Sequence, residues 1–306
     1  NLKVNKLFSE KSKSFGNFNY NLQTNTNIHD RLSIGGNSNI WGGFIDITNI
    51  PDNIIKLFNS YNINFVSLDS SNNGYNSNQK YIRQIRDKNN QILNTRNILQ
   101  NIELGFVHSI KFKKNFIEVS FYSSKNNELV NLNFKKVIFA ISFPQLIDLL
   151  FRSNIINYNM KMTISDFDHK FVKTTSPNFD KYNPIKSYVI KYDFLRACKH
   201  YLGYQNNIDN LKINIPFYID QIYSNNKKNL SLFLDIKKQL IVQQHKSDKF
   251  GESNHYCNLH LDGININTFI HEHSPNLYGV SSIFVSQEKP GPISSNIVTN
   301  IINKFS

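Results

Sequence analysis

The nine residues Gly35-Gly36-Asn37-Ser38-Asn39-Ile40-Trp41-Gly42-Gly43 constrain this chain more than any other stretch. Glycine loses the most conformational freedom on folding, so it persists where the backbone takes positive φ or where another group must approach the main chain closely. Two glycine pairs bracketing a Ser and a Trp predict a loop that cradles a ligand against bare backbone. The alternative is a tight turn between two strands, which the Asn and Ser residues also suit.

With 306 residues and 40% hydrophobic content, the chain can bury one large core or two smaller ones. Its longest largely apolar run, residues 137–143, is far short of the roughly 20 residues that span a bilayer, so no transmembrane helix is expected. Residues 1–20 are rich in Lys, Ser and Asn and lack the apolar centre of a secretory signal. The chain opens without Met, which points to one that is processed, trimmed or recorded in part. Cys198 and Cys257 offer neither a framework of bridges nor a repeated metal-ligand spacing, and a reducing, cytoplasmic setting is the expectation.

A net charge of +13 invites a nucleic-acid or anionic-membrane partner. The residue types argue against it. Of 35 basic residues only six are Arg (Arg31, Arg83, Arg86, Arg96, Arg152 and Arg196), although Arg is the side chain shaped for bidentate phosphate contact. The Lys, Asn and Ile bias reads as the imprint of an AT-rich coding sequence, so neither nucleic acid nor membrane is an expected partner. Pairs such as Lys113-Lys114, Lys135-Lys136 and Lys237-Lys238 read as solvated faces or strand ends.

Along the chain, Pro51-Asp52 followed by Ile54, Ile55, Leu57 and Phe58 predicts a short helix with Pro at its start. Residues 67–79, rich in Ser, Asn and Gly, read as a loop. Tyr81, Ile82 and Ile85, then Ile92, Leu93, Ile98 and Leu99, predict one or two amphipathic helices. Residues 106–111, 116–122 and 129–134 read as an antiparallel meander with turns at Lys113-Lys114-Asn115 and Lys125-Asn126-Asn127. The continuous apolar run 137–141 predicts a strand covered on both faces, and residues 144–151 a helix begun by Pro144. Farther on, residues 213–223 and 230–243 read as strands joined by the turn Ser224-Asn225-Asn226-Lys227. His169, His200 and His245 receive no role.

The last fifty residues hold His255-Tyr256-Cys257-Asn258-Leu259-His260, then Asp262-Gly263, His271-Glu272-His273 and residues 275–284. Four histidines and a cysteine so close together offer one reading as zinc or iron ligands. The spacing opposes it: His271 and His273 would share one face of a strand, with no His-x-x-x-His pair and no repeated Cys-x-x-Cys in support. No metal site is expected.

Three features in this order are the Gly-Gly-x-Ser-x-x-Trp-Gly-Gly loop, the meander leading into Val137-Ile138-Phe139-Ala140 and a Pro-started helix, and the terminal Asn276-Leu277-Tyr278 strand with Ser282 and Phe284. Together the chain resembles the glucose–methanol–choline family of FAD-dependent oxidoreductases; the run 137–144 equally suits the amine-oxidase branch of flavoproteins. The resemblance implies an α/β (α+β) fold, an incomplete FAD-binding domain interleaved with an antiparallel-sheet substrate domain. Residues 1–50, 101–152 and 254–306 would form the FAD-binding parts, 51–100 a helical insert and 153–253 the substrate domain. It implies oxidation of a hydroxyl group on a sugar or another alcohol, with hydride passing to the flavin.

Carried over by residue, Gly35, Gly36, Asn37, Ser38, Asn39 and Gly42 would lie against FAD, with Trp41 beside it or as a plain core anchor under the loop. Ser281, Ser282 and Pro292 would line the cofactor from the terminal strand. His255 would be the general base, and Lys289 falls where the family's second catalytic residue stands. The family's strand–Gly-x-Gly-x-x-Gly–helix unit, which holds the ADP half of FAD, has no counterpart, since no two glycines here are two residues apart. Ser142 stands where the family has a Gly after its Ala strand, and Ser281 where it has Gly or Asp. Two further readings follow: a truncated, non-catalytic relative acting as a binding or scaffold module, and a metal enzyme built on His255, His260, His271 and His273. The sequence sets neither the substrate, the electron acceptor nor the oligomeric state.

Overall fold

A computed structural model describes residues 43–68, 75–93, 103, 105–175, 179–183, 187–193, 217–234, 240–244, 256–286 and 293–305. In chain order its elements are β1 (Phe44–Asp46), α1 (Asp52–Ser60), β2 (Asn64–Ser67), β3 (Tyr75–Ser77), β4 (Ile82–Arg86), β5 (Gly105–Phe112), β6 (Ile117–Ser123), β7 (Leu129–Phe134) and β8 (Val137–Phe139). There follow α2 (Phe143–Arg152), β9 (Lys161–Thr174), β10 (Ser187–Asp193), β11 (Tyr218–Leu234), β12 (Leu240–Gln244), β13 (Cys257–Leu261) and β14 (Ile264–Asn265). The last are α3 (Ile266–His273), β15 (Leu277–Gly279), a 3-10 helix (Ser282–Phe284) and α4 (Ile293–Phe305). The fold is mixed α+β, rich in strands, with several antiparallel sheets. It divides into a first unit (Asn1–Ser33, Leu99–Asp166, Lys228–Ser286) and a second (Ile34–Ile98, Phe167–Lys227, Gln287–Ser306).

In the first unit β5, β6 and β7 form the expected meander, with Ile110 opposite Val119 and Val119 opposite Leu132. Ile110, Ile117 and Val119 turn inward onto Phe143, Leu146, Ile147 and Leu150 of α2. Those four fall at i, i+3, i+4 and i+7, so they share one helical face. Pro lies in the first turn of α2, as expected, where its missing N–H costs nothing. At the other end Arg152 binds Asp148 at 2.9 Å and donates to the carbonyls of Val107 and His108. That clasp holds the bulge where β5 slips register between Val107 and Ser109.

The run expected as a strand over 137–141 is shorter, and its covering differs. Strand β8 spans three residues and pairs in parallel with β15, Val137 opposite Leu277 and Phe139 opposite Gly279. Phe139 is buried but Ile138 is 53% exposed, so the strand is covered on one face only. The apolar run reads as doubly buried because sequence alone does not count the layers. In the same unit β13 pairs with β9, and Asp262 (φ 47°) and Gly263 (φ 84°) turn the chain into β14. Two consecutive positive φ angles match the right-handed twist of the strands they join, which Asp-Gly tolerates.

His271 and His273 sit in the last turn of α3 rather than on a strand. Asn265 caps that helix, its Oδ1 accepting from Asn267 N at 2.9 Å, and the local capping signal outweighs the alternation of the two histidines. His273 packs on Phe269 and Phe112, and its Nδ1 lies 2.8 Å from the Phe269 carbonyl.

The second unit is layered. Strands β1, β4 and β2 form one antiparallel sheet. Ile45, Ile63 and Ile85 face Ile54, Ile55 and Phe58 of α1 with Val298 and Ile302 of α4, while Phe44 and Ile82 face Tyr188, Ile190 and Tyr223 of β10 and β11. Helix α1 forms as expected, with Pro51 at its N-cap. The helix expected around Ile82 and Ile85 is instead strand β4, central between β1 and β2. Five residues of Ile-Arg-Gln-Ile-Arg suit either period, and neighbours on both edges decide the matter.

The turn expected at 224–227 is also overturned, because β11 runs unbroken for 17 residues. Its polar Asn-Lys stretch looks like a turn locally. Ser187 of β10 opposite Ser224, and Leu240 of β12 opposite Leu234, keep it extended. Among the described residues no helix is long and apolar enough to cross a membrane.

Candidate functional site

Of the expected site residues, Gly35, Gly36, Asn37, Ser38, Asn39, Trp41, Gly42, His255, Lys289 and Pro292 lie outside the described residues. Gly43, which ends the glycine loop, has φ 67°, and a Cβ there would meet Ile92 Cγ2 at 2.9 Å and the Ile85 carbonyl at 3.2 Å. This last glycine therefore answers to backbone conformation and to close packing against its own chain.

Ser281 and Ser282 lie in the first unit, just beyond the carboxyl end of β15. Strands β8 and β15 run in parallel, and α2 begins immediately after β8 with Ser142 as its N-cap. A helix N-terminus beside the carboxyl ends of parallel strands gathers free backbone N–H groups and the positive end of the helix dipole. The two strand ends are stitched together. Val280 N donates to the Phe139 carbonyl at 2.8 Å and Ser281 Oγ to the Ile141 carbonyl at 2.6 Å. The hydroxyl proton of Ser281 is thus committed internally. Ser282 opens the 3-10 helix, whose C-cap Val285 donates its N–H to the Ser282 carbonyl.

Strand β13 reaches the same turn. Asn258 N donates to the Val285 carbonyl at 3.1 Å, and Asn267 Nδ2 to the Phe284 carbonyl at 2.5 Å. Between Cys257, opposite Ser165, and His260, opposite Thr163, β13 carries one residue more than β9. Asn258 sits in that bulge with φ 53°; it is buried, and among the described residues its Nδ2 has no hydrogen-bond partner. Its carbonyl lies 2.9 Å from His260 Nδ1. Sequence reasoning passed over Asn258. The available signal was its place between two residues weighed as ligands, His255 and His260.

Among the described residues no three or more His, Cys, Asp or Glu stand close enough to hold a metal ion. Cys257 is buried.

A separate constellation lies in the second unit. Lys191 Nζ donates to Asp220 Oδ1 at 2.6 Å, and the other carboxylate oxygen accepts from the Tyr182 hydroxyl and stands 3.6 Å from Lys181 Nζ. The Lys191 ammonium lies 5.3 Å from the Phe179 ring centre and 5.4 Å from that of Tyr218. The bond to Tyr182 raises the Lys181 pKa, and burial followed by the bond to Asp220 raises that of Tyr182. These shifts hold the ammonium charged and the phenol neutral, which suits a fixed network rather than proton exchange.

Compared with protein-family models and with curated proteins, the chain matches none.

Proposed function

We propose that this chain is an FAD-dependent oxidoreductase that oxidises a hydroxyl group of a sugar or another alcohol. The observation that carries the reading is the parallel pair β8 and β15 with α2 starting at their carboxyl ends. Ligands of parallel α/β sheets bind at that end. The buried, unpartnered Asn258 amide and the Ser281–Ser282 turn fit a ligand rich in acceptors. Gly35, Gly36, Asn37, Ser38, Asn39, Trp41 and Gly42, with Ser281, Ser282 and Pro292, would hold the cofactor.

His255 would take the hydroxyl proton of the substrate, and bound FAD would supply the acceptor for the hydride and its two electrons. Lys289 would offset the negative charge that results; as an ammonium it is no base. A second reading, a non-catalytic binding or scaffold module, is favoured by one observation: the sequence has no two glycines two residues apart to hold a dinucleotide.

The test is a visible absorption spectrum of the purified chain after incubation with excess FAD and desalting. Flavin bands that stay with the protein are expected. Their absence would favour the module, and Gly36→Val should remove them without unfolding the chain. Retained flavin in that variant would overturn the role of the glycine loop.

A further inference from the structure

Two features of Asn258 are costly. A non-glycine residue at φ 53° carries backbone strain, although Asn bears it better than most. A buried amide without a partner forfeits the hydrogen bonds it would make with water. The left-handed backbone admits Gly, Asp or Asn, and the backbone N–H and carbonyl, not the side chain, hold the bulge to Val285 and His260. Bulges re-aim side chains beside functional sites, and strain of this kind is retained where binding uses it.

We infer that the Asn258 side-chain amide is a ligand donor, giving its Nδ2 hydrogen to an acceptor atom of the cofactor bound at the Ser281–Val285 turn. The inference rests on the FAD reading above. Asn258 is one hydrogen bond from that turn, through Val285, which itself bonds to Ser282. The role is binding, and no proton is transferred.

The experiment compares wild type, Asn258→Gly and Asn258→Asp by thermal unfolding without ligand and by titration with FAD. Glycine removes both the strain and the unpartnered amide, so its Tm should rise by about 3 °C. Its FAD affinity should fall about 5–20-fold, the loss of one hydrogen bond. Aspartate keeps the shape and tolerates the left-handed backbone but lacks the donor, so it should weaken FAD at least as much.

A glycine variant that is more stable yet binds FAD as wild type overturns the inference and leaves the FAD reading standing. A glycine variant less stable than wild type also overturns it, since the amide would then serve the fold. Wild type that binds no FAD in the same titration overturns the FAD reading, and the inference with it.

Discussion

Lys191 and Asp220 stand directly opposite each other on β10 and β11, with Nζ 2.6 Å from Oδ1 and side-chain exposures of 3% and 0%. Removing two charges from water is expensive, and the pair is tolerable because each is bonded to the other and the carboxylate has further donors in Tyr182 and Lys181. Breaking it should cost far more than it contributes. Asp220→Ala, which takes the carboxylate away from a buried ammonium, is expected to lower the unfolding free energy by about 3–5 kcal/mol. Replacing both at once, with Lys191→Met and Asp220→Leu, should recover most of that loss. Lys181→Ala should change stability by less than about 0.5 kcal/mol, because its side chain is 47% exposed. Urea unfolding of the three variants checks the order.

Alkaline pH should weaken the second unit through two tyrosines. Burial, with smaller contributions from Tyr223 and Asp46, pushes the Tyr188 pKa well above its ordinary 10.0, and the nearby Ser77 hydroxyl offsets little of this. Tyr182 is raised as well, by burial and by Asp220. In the unfolded chain both titrate near about pH 10. A raised folded value means the contribution is intact below that pH. It is lost above it, as the unfolded state sheds protons that the folded state keeps. The expected slope is about 1.4 kcal/mol per pH unit for each group. Melting curves between about pH 9 and about pH 11 should show Tyr188→Phe losing stability less steeply than wild type.

Gly279 is required by packing rather than by conformation. A Cβ built on it would run into the Phe284 ring, which lies over the end of β15. Gly279→Ala should therefore cost about 1–3 kcal/mol as an overpacked core. Phe284→Leu should restore part of that loss in the double variant, so a double-mutant cycle by thermal unfolding would show coupling. Additive effects would place the strain elsewhere.

Much of the fold was legible because local signals were strong. The meander, with its lysine and asparagine turns, and the Pro-started helices α1 and α2 follow from patterns that local physics settles. The misreadings share a different cause. Ile82 and Ile85 fit a helix until β1 and β2 are placed on either side, and Ser224-Asn225-Asn226-Lys227 reads as a turn until β10 and β12 pair along β11. These are decisions of tertiary contact, which no window of sequence contains. The candidate site divides the same way. Ser281 and Ser282 are expectations of the sequence pattern, whereas Asn258 stands out through a bulge, a positive φ and an orphaned amide.

Ser281 and Ser282 should separate structure from binding. Ser281 Oγ bonds to the Ile141 carbonyl and so ties the end of β15 to the segment that leads into α2. Ser281→Ala removes that tie and should lower stability by about 0.5–1.5 kcal/mol. Its effect on FAD affinity would follow indirectly, through loosened strand ends. Ser282 contributes its carbonyl to the 3-10 helix, a bond that survives Ser282→Ala. That variant should melt within about 2 °C of wild type. If its hydroxyl meets the cofactor, FAD binding should nonetheless weaken several-fold. Equal losses of affinity with equal losses of stability in both variants would mean that the turn matters only as scaffold. Weakened binding in Ser282→Ala at unchanged Tm would place the cofactor against the hydroxyl itself.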